Sequence, residues 1–254
     1  MVLLRYAEGT DIEFETELRY SGGQPIQVVH FAHDMDILSS ASYYGGRVTT
    51  RTVIFAQVAK DFMCSDIKGY IEAILDDLAL PRETVSFLTA AEVEYVFMVE
   101  EGTYGSCSEY AAVTAGLSNQ VVAGDELLDW EERHVLSLKR SAALYHAGTI
   151  NVMAIFREPL DHSAKVNAVI AATEAKTAAM NILGYRETGT TSDAVAIASP
   201  KGDSCPYAGT GSPHGIAAAR AVRTAVCKAL IRRDDFPLDI DEGRKAEIRK
   251  EYGF

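Results

Sequence analysis

Long apolar runs are missing from this chain. Nowhere does the sequence reach the ~18 consecutive apolar residues that a bilayer-spanning helix takes, and the N-terminus has no basic segment followed by an apolar core of the kind that directs secretion. The sequence therefore reads as a cytoplasmic protein with no membrane partner. Metal-ligand spacing is missing too. Cys64, Cys107, Cys205 and Cys227 form no Cys-x-x-Cys pair, and the six histidines form no His-x-x-x-His or His-x-Glu pattern, so zinc hydrolysis has no support and no metal site is expected. The cysteines read as free thiols, with Cys227 a small apolar residue on a helix. Basic charge is also short. Twenty-four Lys and Arg against 36 Asp and Glu leave a net charge of -12, a balance that repels a phosphate backbone and argues against a nucleic-acid partner.

What is present suits one well-buried core. The chain has 254 residues, 48% of them hydrophobic, enough for a single domain. Strand patterns run over residues 11–18, 24–31 and 51–59, and a helix with apolar 3.6-residue periodicity spans residues 66–80, stopped by Pro81. Residues 93–99 and 109–114 read as a hairpin around a turn at 102–106. Residues 125–146 are polar and read as a solvated loop. Beyond them come a strand over 148–156, a helix over 163–183, a strand over 193–198 and a helix over 213–231, where Ser212 is a suitable N-cap and Pro213 suits the first turn. The antiparallel-looking first half and the alternating second half predict an α/β fold with a mixed sheet covered by helices, in a single compact domain over residues 1–231. A charged tail, residues 232–254, follows, with a short helix over 241–252.

Four segments break the pattern in the same way, each ending an apolar run in glycine and small hydroxyl residues. These are Leu38-Ser39-Ser40-Ala41 with Gly45-Gly46, Val113-Thr114-Ala115-Gly116-Leu117-Ser118-Asn119, Thr188-Gly189-Thr190-Thr191-Ser192-Asp193, and Tyr207-Ala208-Gly209-Thr210. Such residues make poor core but let backbone amides approach a polar ligand. Ordinary turns use the same residues, yet ligands in sheet proteins collect where loops meet at strand ends. Four such loops predict one composite site.

Together with Gly148-Thr149-Ile150-Asn151 and Thr173-Glu174-Ala175-Lys176-Thr177, and in this order from Leu38 to Leu230, these segments resemble the adenosylcobinamide amidohydrolase family. The resemblance implies hydrolysis of the amide joining aminopropanol to the corrin ring of adenosylcobinamide, yielding adenosylcobyric acid for corrinoid salvage in an archaeon or a corrinoid-scavenging bacterium. It implies a small-molecule corrinoid as partner and no cofactor, cobalt entering only within the substrate. Ser212-Pro213-His214 departs from the more apolar approach expected there, so no role for His214 follows from the family.

Amide hydrolysis without a metal needs a nucleophile or activated water, a proton donor for the amine and donors for the oxyanion. Ser118 or Ser40 is a candidate nucleophile, Asp193 or Glu174 a candidate base, and Lys176 or Asn119 a candidate oxyanion donor. Attack by Ser118 and attack by a carboxylate-activated water both remain open. Glu174 and Lys176, two residues apart on a helix, point about 200° away from each other and cannot share one task. Substrate contacts are expected from Ser39, Ser40, Gly45, Gly46, Thr114, Gly116, Asn151, Thr190, Thr191, Tyr207, Gly209 and Thr210, with Tyr43 and Tyr44 offering aromatic contact. A non-catalytic corrinoid or nucleotide binder is the alternative, and hydrolysis of an unrelated amide by an N-terminal or internal nucleophile is a third reading. A homo-oligomer fits the charged tail as a subunit contact.

Overall fold

A sixteen-residue strand organises the molecule. In the computed structural model, which describes residues 3–10, 12–126, 132, 135, 148–202 and 204–254, strand β3 (Gln24–Ser39) pairs with β4 (Gly46–Gln57) along one edge, with a register shift between His30 and Met35. That irregularity bends the strand. On the other edge its first half pairs with β2 (Phe14–Ser21) and its second half with β11 (Ala194–Pro200), both antiparallel. One strand thus belongs to two neighbourhoods.

From β11 the sheet continues to the parallel β9 (Asn151–Ile155), then to the antiparallel β7 (Cys107–Thr114) and β6 (Met98–Tyr104). The outer strands β1 (Leu3–Tyr6) and β5 (Thr84–Thr89) complete a curled, nine-stranded mixed sheet. A two-stranded ribbon, β8 (Gln120–Val121) with β10 (Gly189–Thr190), stands beside it.

Helices α1 (Ile67–Asp77), α2 (Val93–Val96), α3 (His162–Ile182), α4 (Pro213–Ile231) and α5 (Glu242–Glu251) cover the sheet. The alanine face of α3, with Ala164, Ala168, Ala172 and Ala179, packs with Val222 and Val226 of α4 over Val113, Val152 and Ile197. Small side chains permit close approach. A Cβ on Gly102 of β6 would lie 2.2 Å from the Ala217 carbonyl oxygen, so only glycine allows α4 to sit this near the sheet. Ser212 caps α4 by accepting from Gly215 N at 3.0 Å, with Pro213 in the first turn, as the sequence predicts. Phe14, Phe31, Phe55, Phe87 and Tyr110 fill the other face. Ile71 and Leu75 of α1 are fully buried against Ile26, Val28 and Ile54, each burial contributing about 1.5–3 kcal/mol.

The result is an α/β domain with a mixed sheet covered by helices, and the differences from expectation are local. Residues 93–96 form a helical turn rather than strand, with Val93 N donating to Gln57 Oε1 at 3.0 Å. That tertiary contact overrides the β preference of the valines. Strand β5 is additional to the expected strands, and the strand expected to end at residue 31 runs on to Ser39. In the tail, Phe236 and Ile248 enter the main core. Most of the polar stretch expected to be a loop, residues 125–146, lies outside the described residues. Among the described residues no helix is long and apolar enough to cross a membrane.

Candidate active site

Four strand ends meet at one rim of the sheet. Ala194 opens β11 beside Asn151 at the start of β9, Thr114 closes β7 opposite Asn151, and Ser39 closes β3 opposite Ala196. Asp193 lies immediately before β11, and its carboxylate is held from all sides. Oδ1 accepts from Ile150 N at 3.1 Å and Thr190 Oγ1 at 2.5 Å, while Oδ2 accepts from Thr190 N at 3.1 Å and Lys176 Nζ at 2.5 Å. The Lys176 and Asp193 side chains are only 8% and 13% exposed.

The local sequence explains this geometry. A Cβ on Gly189 would fall 2.2 Å from Asp193 Oδ2 and 2.4 Å from Lys176 Nζ, so glycine makes room for the pair. Lys176 turns inward from α3 and Glu174 is exposed on another side of it, the separation that ~100° per residue dictates.

From Asp193 a line of hydroxyls leads outward. Thr190 Oγ1 lies 2.8 Å from Thr149 Oγ1, which in turn lies 2.8 Å from Ser192 Oγ, and Ser192 is exposed. Asn119 clasps this outer end. Its Nδ2 donates to Thr191 Oγ1 at 2.8 Å and to Ser192 Oγ at 3.4 Å, its carbonyl accepts from Thr191 N, and its Oδ1 is buried with no protein partner among the described residues. This line of hydroxyls connects the Asp193 carboxylate to the exposed Ser192 hydroxyl. Gly189, Thr149 and Ser192 were absent from the expected site. Thr149 and Ser192 lie within the segments that suggested it, but neither spacing nor composition distinguishes them from their neighbours.

The other expected residues fall into two groups. Thr114, Gly116, Ser118 and Asn151 are buried beneath the rim, where Asn151 Nδ2 donates to Leu88 O and Thr114 Oγ1. Ser40 Oγ accepts from Val195 N at 3.0 Å, Ser39 Oγ is buried without a hydrogen-bond partner among the described residues, and Gly45 and Gly46 form the exposed turn beyond them. Tyr207, Gly209 and Thr210 are elsewhere. They follow the far end of β11, beside the start of α4, so seven strand residues separate them from Asp193, roughly 20 Å. The expected single composite site is therefore three loops at one rim, with the fourth at the opposite rim. A cavity of about 310 Å³, lined by Asp36, Arg47, Val48, Thr49, Lys201 and Gly202, also lies toward that opposite rim, where Arg47 pairs with Asp36 at 2.8 Å. Among the described residues no cluster of three His, Cys, Asp or Glu side chains is arranged to hold a metal ion.

The profile of the adenosylcobinamide amidohydrolase family matches residues 11–236. The chain belongs to that family. It is similar to the adenosylcobinamide amidohydrolase of Halobacterium salinarum, with 37% identity over 138 residues, 53% of this chain and 56% of that protein. The family's Methanosarcina mazei protein of the same name is 27% identical over 201 residues, covering 75% of this chain and 86% of that protein. An uncharacterised protein of Methanocaldococcus jannaschii is 28% identical over 181 residues, 66% of this chain and 71% of that one. These relatives are archaeal. Family membership makes the chain an amidohydrolase in class.

Proposed function

We propose that this chain hydrolyses the amide linking aminopropanol to the propionyl arm of adenosylcobinamide, releasing adenosylcobyric acid for cytoplasmic corrinoid salvage. The observation that carries the mechanism is the exposed Ser192 hydroxyl at the outer end of a hydrogen-bonded line, Ser192, Thr149, Thr190, Asp193. Ser192 Oγ attacks the amide carbonyl as its proton moves inward by way of Thr149 and Thr190 to Asp193. Lys176 keeps the opposite carboxylate oxygen paired throughout. Asn119 Nδ2, already 3.4 Å from Ser192 Oγ, donates to the oxyanion. The stored proton returns along the same line to the departing amine, and water then cleaves the ester on Ser192 by the same route.

Ser192 is preferred to Ser118 because Ser118 is 4% exposed, out of reach of a corrin. Glu174, exposed and without a link to this line, is assigned no step. Ser39, Ser40, Gly45, Gly46 and Thr191 are proposed to hold the rim of the macrocycle, and Thr114, Gly116 and Asn151 to support them from below. The reaction as drawn uses no cofactor, since the hydroxyl line supplies nucleophile and proton transfer. Metal-depleted protein incubated with adenosylcobinamide should release adenosylcobyric acid and aminopropanol, detected by chromatography and mass spectrometry, and Ser192→Ala should lose at least about 10²-fold in kcat. Undiminished turnover in Ser192→Ala removes the serine from the mechanism. Corrinoid bound but unchanged by the wild-type chain points to a binding protein instead.

A further inference from the structure

At the rim opposite Asp193, two side chains of one strand line up with a third from a distant helix. Cys107 opens β7, Glu109 lies two residues on and so shares its face of the strand, and His214 sits in the first turn of α4. Cys107 Sγ is 3.7 Å from His214 Nε2, and His214 Nδ1 is 2.7 Å from Glu109 Oε1. Glu109 is fully buried, and its second oxygen accepts from Arg157 N at 2.7 Å. A buried carboxylate fixed in this way holds the proton of the neutral ring on Nδ1 and turns the Nε2 lone pair toward the thiol. Nucleophile, base and orienting carboxylate therefore stand in the order that covalent acyl transfer needs. The outer members are open to solvent, with Cys107 part-exposed and the His214 side chain 24% exposed.

We infer that Cys107, His214 and Glu109 form a second, separate nucleophilic site that takes acyl thioesters or esters. Nothing in the amide-hydrolysis mechanism uses these residues. The substrate class follows from leaving-group chemistry: a thiolate or an activated alkoxide leaves the tetrahedral intermediate as readily as Cys107 does, whereas an amine leaves only after it has been protonated. Burial and the negative charge of Glu109 push the Cys107 thiol up, so it rests as the neutral thiol and reacts by handing its proton to His214. Sγ then bonds to the acyl carbon, the leaving alcohol or thiol takes the proton from His214, and an S-acyl cysteine remains. Water attacks that thioester, gives its proton to His214 Nε2, and expels Cys107, which recovers the proton.

The test is incubation of the full chain with p-nitrophenyl acetate, following nitrophenol release and mapping acetylation by peptide mass spectrometry. The expected result is acetyl on Cys107, release abolished in Cys107→Ala, and acetylation slowed about 10²-fold in His214→Gln. Release of aminopropanol from adenosylcobinamide by Cys107→Ala at the wild-type rate shows that this variant is folded and that the two sites are independent. Acetylation spread evenly over Cys64, Cys205 and lysines overturns the assignment, and so does a rate at Cys107 that His214→Gln leaves unchanged.

Discussion

Replacing Lys176 by Met strands the Asp193 carboxylate at the rim with three donors instead of four. Its Oδ2 then keeps only Thr190 N, in a site where the two side chains are 8% and 13% exposed. Removing one partner of a buried ion pair costs 3–5 kcal/mol because the other charge is left uncompensated. The residual exposure and the three surviving hydrogen bonds place this case at the low end, at about 3 kcal/mol. In a chain of this size each kcal/mol moves the melting temperature by about 2–4 °C, so Lys176→Met should melt about 6–12 °C lower than wild type. Lys201→Met is the control. Lys201 pairs with Asp34 at 2.9 Å but is 55% exposed, and an exposed pair contributes no more than about 1 kcal/mol. Adding Asp193→Asn to Lys176→Met removes the stranded charge and keeps an acceptor for Ile150 N and Thr190 Oγ1, while its amide nitrogen faces Thr190 N, so it should recover part of the loss. The assay is a double-mutant cycle from thermal and urea unfolding. A coupling energy below about 0.5 kcal/mol, the level at which independent sites add, refutes the view that this pair organises the rim.

Four further outcomes rest on the same structure. Gly189→Ala puts a methyl group against Asp193 and Lys176 and should abolish adenosylcobinamide turnover while costing about 1–3 kcal/mol; a fully active variant would contradict the described packing. Gly102→Ala, whose Cβ would meet Ala217 O at 2.2 Å, should lose a similar amount of stability with activity per folded molecule intact, as unfolding curves and turnover at low temperature would show. Burial pushes the Cys227 thiol up to about 11, so in mildly alkaline buffer the native chain should give Ellman's reagent only Cys64, Cys107 and Cys205, with Cys227 reacting on unfolding. Burial also holds the Glu109 carboxyl above its ordinary 4.5, although His214 and the Arg157 amide oppose the rise. The folded state therefore holds this proton more tightly than the unfolded chain, and stability from this group falls as pH climbs above 4.5. The stability of Glu109→Gln relative to wild type should rise over that range, whatever the constant offset between them; a flat or falling difference contradicts the direction.

The two long helices were legible because their signals are local. Ser212 and Pro213 announce the start of α4, and alanine spacing marks the buried face of α3. The opposed directions of Glu174 and Lys176 could likewise be worked out from helix geometry alone. Strand β5 was not legible, since its six residues become a strand by parallel pairing with β4, a contact no window of sequence contains. The error at residues 93–96 has the same origin, a side-chain contact with Gln57. For the site, composition identified loops able to meet a ligand but carried no information about which end of the sheet each one reaches. Tyr207, Gly209 and Thr210 look like the residues near Asp193 and stand at the other rim. The alignment of Cys107, Glu109 and His214 was hidden for a related reason, because β7 and α4 are brought together only by the folded core.

The double membership of β3 has a consequence for how the newly made chain comes together. Strands β2 to β5 and helix α1 can assemble as soon as residue 89 has been synthesised, but the edge at residues 35–39 waits for β11, whose Ala196 pairs with Ser39. Until then Met35 and Ile37, both fully buried in the finished protein, lie beside unpaired backbone, the condition that invites pairing with another chain. Asp34 and Asp36 alternate with them along this edge and place charge where a foreign strand would dock. A chain interrupted before residue 194 should accordingly collect in aggregates, and the length of time the ribosome takes to reach β11 sets how long this edge stays open.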